Sequence, residues 1–228
     1  AGFTTGSPGT SQGKFNAPGR LAFDPAGRLW IADENNNRVL RFSPPFSNGM
    51  NADLVLGQGD FTTNVPGTAA NRFRNPGDLA FDSFGRLWVA DQQNHRVLRF
   101  SPPLSNGMSA SNVLGQANFT TGTTALTQTR MNLPQGVAYD SANARLFTAD
   151  SANHRMLAFN LAGGLTNGIN ATDALGQLDA ADSPVYTKGG VDNSANNRGF
   201  TPGRIVFDVT GHRLFVPDSG NSRVVVYN

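Results

Sequence analysis

An aspartate, an asparagine and an arginine recur together four times in this chain of 228 residues. A carboxylate beside a guanidinium can serve acid–base chemistry or form a permanent ion pair. We interpret the sets as scaffold, because Asp and Asn at a tight turn bond the neighbouring backbone and an arginine five residues after the aspartate can return to close the loop. Four copies of one catalytic site in a single chain would be unusual. The sets are Asp33, Asn36 and Arg38; Asp91, Asn94 and Arg96; Asp150, Asn153 and Arg155; and Asp218, Asn221 and Arg223.

The rest of the chain offers few groups for catalysis. Two of the three histidines occupy the same turn position of the repeat and the third lies in a predicted hairpin: His95, His154 and His212. The sequence has no glycine-rich phosphate loop, nucleophile elbow or HExxH motif, and it has no cysteine. We therefore expect no catalytic residue, no metal site and no cofactor. A divalent cation such as calcium in the channel, held by Asp24, Asp78 or Asp82, stays open as an alternative.

Short predicted strands position these groups, and the strands recur with the same period as the Asp-Asn-Arg sets. The four aspartates are separated by 58, 59 and 68 residues, which indicates an array of one supersecondary unit. In the first unit, apolar runs at 21–23, 29–32, 39–42 and 53–56 alternate with turns rich in Pro, Gly and Asn. Four short antiparallel strands per unit, apolar on both faces, predict the blades of an all-β propeller. A parallel β-helix is the alternative, although its coils are shorter.

We place four blades in a single domain, at about 15–58, 73–116, 131–177 and 200–228, with 1–14 as the tail of a preceding repeat. The last blade lacks a predicted fourth strand. We therefore expect segment 1–5 to lie beside that blade, and deletion of 1–14 to destabilise it first. Its open strand edge is a predicted site of self-association.

The repeated phrase resembles the NHL repeat. Its fullest copy is Pro76-Gly-Asp-Leu-Ala-Phe-Asp82 followed by Gly85-Arg-Leu-Trp-Val-Ala-Asp91-Gln-Gln-Asn-His-Arg-Val-Leu-Arg-Phe100. The resemblance covers about half of each repeat in all four copies. It implies a propeller of about six blades, so the four visible here could belong to a larger ring. It also implies a range of functions, because the family includes protein- and RNA-binding scaffolds and similar propellers include lyases and lactonases.

Ligand binding is expected where the copies differ. The variable residues at the start of each first strand are Arg20, Asp78, Val137 or the neighbouring Gln135, and Arg204. Because first strands lie nearest the propeller axis, these residues could ring one mouth of the channel and hold a small polar ligand; inter-blade ion pairs are the alternative. The longest linker, 176–199, adds Tyr186 and Lys188 as candidates, since long loops on a rigid scaffold often carry binding sites.

Composition excludes two classes of partner. The net charge is +2, and the 18 cations include only two lysines and form no basic run, so we expect no nucleic acid partner. No apolar run approaches the roughly 20 residues of a membrane span. Few lysines, no cysteine, many Asn and Thr residues and glycosylation sequons at Asn118 and Asn170 favour a secreted or extracellular protein.

These observations favour a non-enzymatic binding propeller that uses its variable inter-blade loops and its channel mouth. The expected partners are proteins or polar small molecules, including glycans. Two alternatives stay open. One is an extracellular subunit that self-assembles into a filament or surface layer, and the other is a divalent-metal-dependent lyase or lactonase.

Overall fold

The computed structural model of the chain describes residues 6–179, 181, 183–190 and 201–228. Their regular elements are fifteen β-strands and four single-turn 3-10 helices. In this part of the chain, no helix is long and apolar enough to cross a membrane.

The strands form four antiparallel sheets, here called blades 1 to 4. Blade 1 contains β1 (Pro18–Phe23), β2 (Leu29–Asp33), β3 (Arg38–Phe42) and β4 (Leu54–Leu56). Blade 2 contains β5 (Pro76–Phe81), β6 (Leu87–Asp91), β7 (Arg96–Phe100) and β8 (Asn112–Leu114). Blade 3 contains β9 (Pro134–Asp140), β10 (Arg145–Asp150), β11 (Arg155–Asn160) and β12 (Asp173–Leu175). Blade 4 contains β13 (Val206–Asp208), β14 (Arg213–Asp218) and β15 (Arg223–Tyr227). The predicted β-propeller fold is confirmed, with three strands described in blade 4.

A buried aspartate shapes the first hairpin of each complete blade. In blade 1, Asp24 Oδ1 accepts hydrogen bonds from the backbone N–H groups of Ala26 and Arg28, each at 3.0 Å. Asp24 Oδ2 accepts from Arg28 Nε at 2.7 Å and from Trp30 Nε1 at 2.9 Å. Gly27 completes the turn at φ 75°, a left-handed conformation that glycine adopts without strain. The turn therefore fixes both the strand register and the position of the tryptophan.

The recurring Asp-Asn-Arg set ties each blade to its flanking segments. In blade 2, Asp91 Oδ2 accepts from Asn94 Nδ2 at 2.9 Å and from Arg96 Nε at 2.7 Å. The remaining four N–H groups of Arg96 donate to backbone carbonyls of Thr68, Ala69, Arg72 and Phe119. All five donors of the guanidinium are thus used. Because the Asp and Arg side chains are fully buried in blades 1, 2 and 3, these contacts are structural.

The asparagine of each set bonds the same carboxylate as the arginine. Asn36 Nδ2 donates to Asp33 Oδ2, Asn153 Nδ2 to Asp150 Oδ2 and Asn221 Nδ2 to Asp218 Oδ2, each at 2.9 Å. In blades 1 to 3 the amide also reaches a preceding loop. Asn36 donates to the Gly9 carbonyl at 2.8 Å, and Asn153 donates to the Ala125 carbonyl at 3.3 Å.

The set of blade 4 departs from this pattern. Asn36 and Asn153 are buried, whereas Asn221 is only half-buried. Asn221 has no loop carbonyl as a second acceptor among the described residues, and Asp218 is its acceptor there. The four sets are alike in sequence, and the segment equivalent to the loop that covers the first three sets lies outside the described residues for the fourth.

Successive blades pack face to face through large side chains. An aromatic residue on the innermost strand of one blade lies against an aromatic residue on the second strand of the preceding blade. The ring centroids are 5.6 Å apart for Trp30 and Phe81, 6.1 Å for Trp88 and Tyr139, and 5.9 Å for Phe147 and Phe207. Because both faces of the middle blades are covered, their strands are near-continuous apolar runs, as predicted.

The outermost strand of a blade is capped by a loop of the next blade. The Val55 N–H donates to Asn106 Oδ1 at 3.0 Å, and the Gly107 N–H donates to the Val55 carbonyl at 3.0 Å. Blade 3 caps blade 2 in the same way, with Asn167 Oδ1 3.0 Å from the Val113 nitrogen. The Asn-Gly loop therefore closes an edge that would otherwise expose backbone groups.

The segment before blade 1 contacts blade 1. The carbonyls of Thr10, Ser11 and Lys14 accept hydrogen bonds from Arg38, at 2.5, 3.2 and 2.8 Å. Deletion of residues 1–14 would therefore remove hydrogen-bond acceptors from blade 1, and the expectation that this deletion destabilises blade 4 first stays a prediction. The expected pairing of segment 1–5 with blade 4 lies outside the described residues.

The two end blades each leave one apolar face open. On blade 1, Leu21 is 59% exposed, whereas its equivalents Leu79, Val137 and Ile205 are 6%, 3% and 4% exposed. On blade 4, Val224 is 61% exposed, whereas its equivalents in the three preceding blades are fully buried. The open faces are thus the same surfaces that form the interfaces between adjacent blades.

Candidate functional site

The innermost strands of all four blades, β1, β5, β9 and β13, surround an axial cavity of about 270 Å³. Arg20 and Asp78 line this cavity, and the charged region around them is here called the channel mouth. The walls are mostly apolar and include Leu21, Phe81 and Phe207. A cavity with apolar walls and a few convergent polar groups is typical of small-ligand sites.

Charged side chains from three blades meet at the channel mouth. Arg20 Nε of blade 1 lies 4.0 Å from Asp78 Oδ1 of blade 2. Arg204, in the segment that leads into β13 of blade 4, donates from Nη2 to Glu34 Oε1 of blade 1 at 3.0 Å. Three of the four residues expected to ring the mouth, Arg20, Asp78 and Arg204, thus lie together. Their pairs cross from one blade to another, as the ion-pair alternative predicted.

Asp78 is the most buried charged group of the mouth. Its Oδ1 accepts from the Leu79 N–H at 2.9 Å, and its Oδ2 accepts from the Val137 N–H of blade 3 at 3.0 Å. Burial raises the pKa of Asp78 to about 6, although these hydrogen bonds and the charges of Arg20 and Arg204 act in the opposite direction. Asp78 therefore links blades 2 and 3 and holds less negative charge below pH 6.

Glu34 belongs to the mouth but was not among the predicted site residues. It directly follows the motif aspartate Asp33. Blades 3 and 4 have the same residue type at this position, whereas blades 1 and 2 each have another, and this variability was the sequence signal that could have identified the site residue. Its carboxylate occupies the space beside Gly19, where an added Cβ would lie only 1.8 Å from Glu34 Oε1. Burial raises the pKa of Glu34, and the charge and hydrogen bond of Arg204 oppose that shift.

The other predicted ligand residues lie apart from this charged cluster. Gln135 is exposed on β9, next to the strand residues of blade 3 that line the channel. Tyr186 lines a separate open groove with Thr127 and Pro184, and its carbonyl accepts from Arg155 Nη1 at 2.6 Å. Lys188 is exposed in the same loop. The remainder of that linker, 191–199, lies outside the described residues.

The Asp-Asn-Arg sets also lie apart from the mouth. None of their side chains lines the axial cavity formed by the described residues. In each set the carboxylate accepts from the asparagine amide and from the arginine Nε. These contacts leave the sets in a structural role within their own blades. The residues concerned are Asp33, Asn36, Arg38, Asp91, Asn94, Arg96, Asp150, Asn153, Arg155, Asp218, Asn221 and Arg223.

Two of the three histidines, His95 and His154, take part in structural contacts. The Leu133 N–H donates to His95 Nδ1 at 3.1 Å, and burial, followed by the charge of Arg74, lowers the pKa of His95. His154 Nδ1 lies 3.4 Å from Thr201 Oγ1. No group of three or more His, Asp or Glu side chains is arranged for a metal ion in the part of the chain that the structure describes.

The family model of the NHL repeat matches residues 15–42 and 73–100. These segments contain the first three strands of blades 1 and 2. The chain therefore carries NHL repeats at these two positions. This NHL-repeat chain is similar to "NHL repeat-containing protein 3" of Homo sapiens, with 30% identity over 114 residues that cover 48% of the chain and 30% of the human protein. The Mus musculus protein is 29% identical over 112 residues, which cover 47% of the chain and 29% of that protein.

Solved structures support the fold of the NHL-repeat chain. Virginiamycin B lyase from Staphylococcus aureus matches 92% of the chain with a TM-score of 0.50 and 14% identity, over 55% of its own length. The Cps50 (Swd1) β-propeller domain from Myceliophteria thermophila matches 92% with a TM-score of 0.53 and 10% identity, over 52% of its length. An auxiliary nutrient binding protein from Bacteroides thetaiotaomicron matches 91% with a TM-score of 0.57 and 14% identity, over 47% of its length. The NHL-repeat chain thus spans about half of each of these structures.

Proposed function

We propose that this NHL-repeat β-propeller is a non-enzymatic binding protein whose ligand site is the charged mouth of the axial channel. One observation carries the proposal. Arg20, Glu34, Asp78 and Arg204 come from three blades and converge beside an open cavity, which Arg20 and Asp78 line together with mostly apolar residues. Convergence of groups that are distant in sequence gives a ligand several fixed contacts at once. The inter-blade loop around Tyr186 and Lys188 is a second contact surface in this proposal.

The ion pairs of the channel mouth contribute little to the stability of the fold. The side chains of Arg20 and Arg204 are 36% and 44% exposed. Exposed ion pairs of this kind contribute about 0–1 kcal/mol each to the free energy of unfolding. The fully buried pairs, such as Asp91 and Arg96, already hold the blades. The mouth charges are therefore better suited to recognition, because their guanidinium groups keep donors for a ligand.

A ligand screen with matched variants tests the proposal. We would screen small zwitterions, amino acids, glycans and short peptides by the shift they cause in the thermal unfolding midpoint. A ligand at a hundred times its Kd stabilises the folded state by about 2.7 kcal/mol. Ligands of the mouth should lose this effect in Arg20→Gln/Arg204→Gln. They should keep it in Arg28→Gln, whose side chain has a similar exposure of 38% and lies in the first hairpin.

Two results would contradict the proposal. One is a set of ligands that stabilise the double variant as well as the wild-type chain, because the site would then lie elsewhere. The other is turnover of a screened compound that disappears in the double variant, because the mouth would then be catalytic.

A second candidate function is self-association, which the open faces of blades 1 and 4 favour. The exposed face around Val224 is the surface that blades 1, 2 and 3 each bury against the next blade, and the face around Leu21 is its natural counterpart. The second copy would supply that counterpart. Sedimentation velocity should then show oligomers that Val224→Lys removes and Val65→Lys, on a loop with 57% exposure, does not. A monomer at every concentration would exclude this candidate.

A further inference from the structure

An unused hydrogen-bond donor lies at the channel mouth. The Arg20 Nε–H is buried and has no hydrogen-bond partner among the described residues. The nearby carboxylate oxygen, Asp78 Oδ1, is 4.0 Å away, which is beyond hydrogen-bond distance. Asp78 cannot readily turn toward Arg20, because backbone N–H groups of Leu79 and Val137 hold its two oxygens. A buried donor without an acceptor is costly, so a small turn of the Arg20 side chain, which is 36% exposed, is favoured when it brings this donor to an acceptor from outside the chain.

The charges of the mouth favour an anionic acceptor. Arg20 and Arg204 supply two guanidinium cations to the mouth. The groups that face Asp78 are Arg20 from β1, Arg204 from the segment before β13 and the N–H of Val137 from β9. Burial raises the pKa of Asp78 to about 6 and also raises the pKa of Glu34. Asp78 therefore loses charge as the pH falls through about 6, Glu34 loses charge at a higher pH than an ordinary glutamate does, and the net charge of the mouth becomes positive as the pH falls.

The rest of the cavity favours an apolar ligand body. Beyond the charged residues the walls consist of aliphatic and aromatic side chains contributed by all four blades, such as Leu21, Phe81, Tyr139 and Phe207. A volume of about 270 Å³ admits a short alkyl chain or one ring but no large ligand. A fully hydrated anion such as phosphate would leave these walls without a partner.

We infer that the axial channel binds a small amphiphilic carboxylate, with its head group accepting the Arg20 Nε–H and facing Arg204, and its apolar body against the aromatic walls. This inference rests on the proposed function and names the ligand class of the same site. The carboxylate supplies the acceptor that Arg20 lacks, and Arg204 keeps N–H groups beyond the one donated to Glu34. Charge-assisted hydrogen bonds of this kind are about twice as strong as neutral ones.

Isothermal titration with hexanoate, hexanamide, hexylammonium and inorganic phosphate tests the inference. Hexanoate should bind, and Arg20→Gln should weaken its binding by about tenfold or more, because a charge-assisted hydrogen bond is lost. Arg28→Gln should leave the affinity unchanged. Wild-type affinity for hexanoate should rise about threefold to tenfold from pH 8 to pH 5.5, as Asp78 loses its charge. Asp78→Asn should bind at pH 8 as the wild-type chain does at pH 5.5, with little pH dependence.

The four probes separate this inference from the proposed function. Binding of hexanamide or hexylammonium as tight as that of hexanoate, lost in Arg20→Gln, would overturn the carboxylate class and leave the channel as the ligand site. Binding of phosphate in preference to hexanoate would overturn the amphiphilic body. Hexanoate binding that is unchanged in Arg20→Gln, or no binding of hexanoate at all, would overturn the inference, while the library screen above would still decide the proposed function.

Discussion

Replacement of the motif arginine of blade 2 should be among the most damaging single changes in this chain. Arg96→Met leaves the Asp91 carboxylate buried with no cation beside it and removes the donors of four backbone carbonyls. Loss of one partner of a buried pair costs about 3–5 kcal/mol, a large share of the 5–15 kcal/mol that is typical of a domain. The equivalent Arg223 of blade 4 is the matched control. Its side chain is 31% exposed, and its Nη2 has no partner in the described part of the chain.

Urea unfolding followed by circular dichroism measures the difference between the two variants. Circular dichroism is preferable to fluorescence, because both tryptophans, Trp30 and Trp88, lie in blades 1 and 2. We expect Arg223→Met to cost about 1–2 kcal/mol, since it loses one charge-assisted hydrogen bond. A cost below about 1 kcal/mol for Arg96→Met, or an equal cost for the two variants, would refute the view that the buried network holds the blades.

Three further changes follow from the geometry. The pKa of Asp78 is about 6 in the folded chain against an ordinary 3.8, so the contribution of this residue to stability is fully present below about pH 4 and decreases by up to about 3 kcal/mol as the pH rises through 6; Asp78→Asn should remove this component of the slope in urea titrations at pH 4 to 7. Gly136→Ala places a Cβ 2.7 Å from the Gly203 carbonyl and should cost about 1–3 kcal/mol, whereas Gly163→Ala, with no atom within 4 Å, should cost less than about 0.5 kcal/mol by the same titration. Asn106→Ala should lower the unfolding free energy by about 1–2 kcal/mol because it uncaps Val55, while Ala at the exposed equivalent Asn48 should be neutral in thermal unfolding.

Much of the fold could be predicted because its signals are local. Turn residues and apolar runs identified the strands of each repeat, although β1 begins at Pro18, earlier than predicted, since Pro18 pairs with Asp33 across an irregular register. The scaffold role proposed for the Asp-Asn-Arg sets matches their hydrogen bonds, because the aspartate, asparagine and arginine lie within five residues of each other. The loop carbonyls that Asn36 and Asn153 also bond lie 27 and 28 residues away, and the sequence pattern did not predict them.

The channel mouth was only partly predictable because its contacts are long-range. Arg204 and Glu34 are 170 residues apart, so no local pattern could pair them. Burial of Asp78 and the unused donor of Arg20 depend on how neighbouring blades pack. Loop length alone suggested Tyr186 as a ligand-binding candidate, whereas the structure shows this residue partly buried against the core between blades 2 and 3.

The most direct test of the central claim is to map the bound ligand by chemical-shift changes in backbone amide spectra. On addition of hexanoate, the account predicts the largest changes at Arg20, at Leu79 and Val137, whose N–H groups bond Asp78, and at Ile205 beside Arg204. Changes centred on Tyr186 and its groove, or spread over the open face around Val224 and Val226, would contradict a ligand site at the channel mouth.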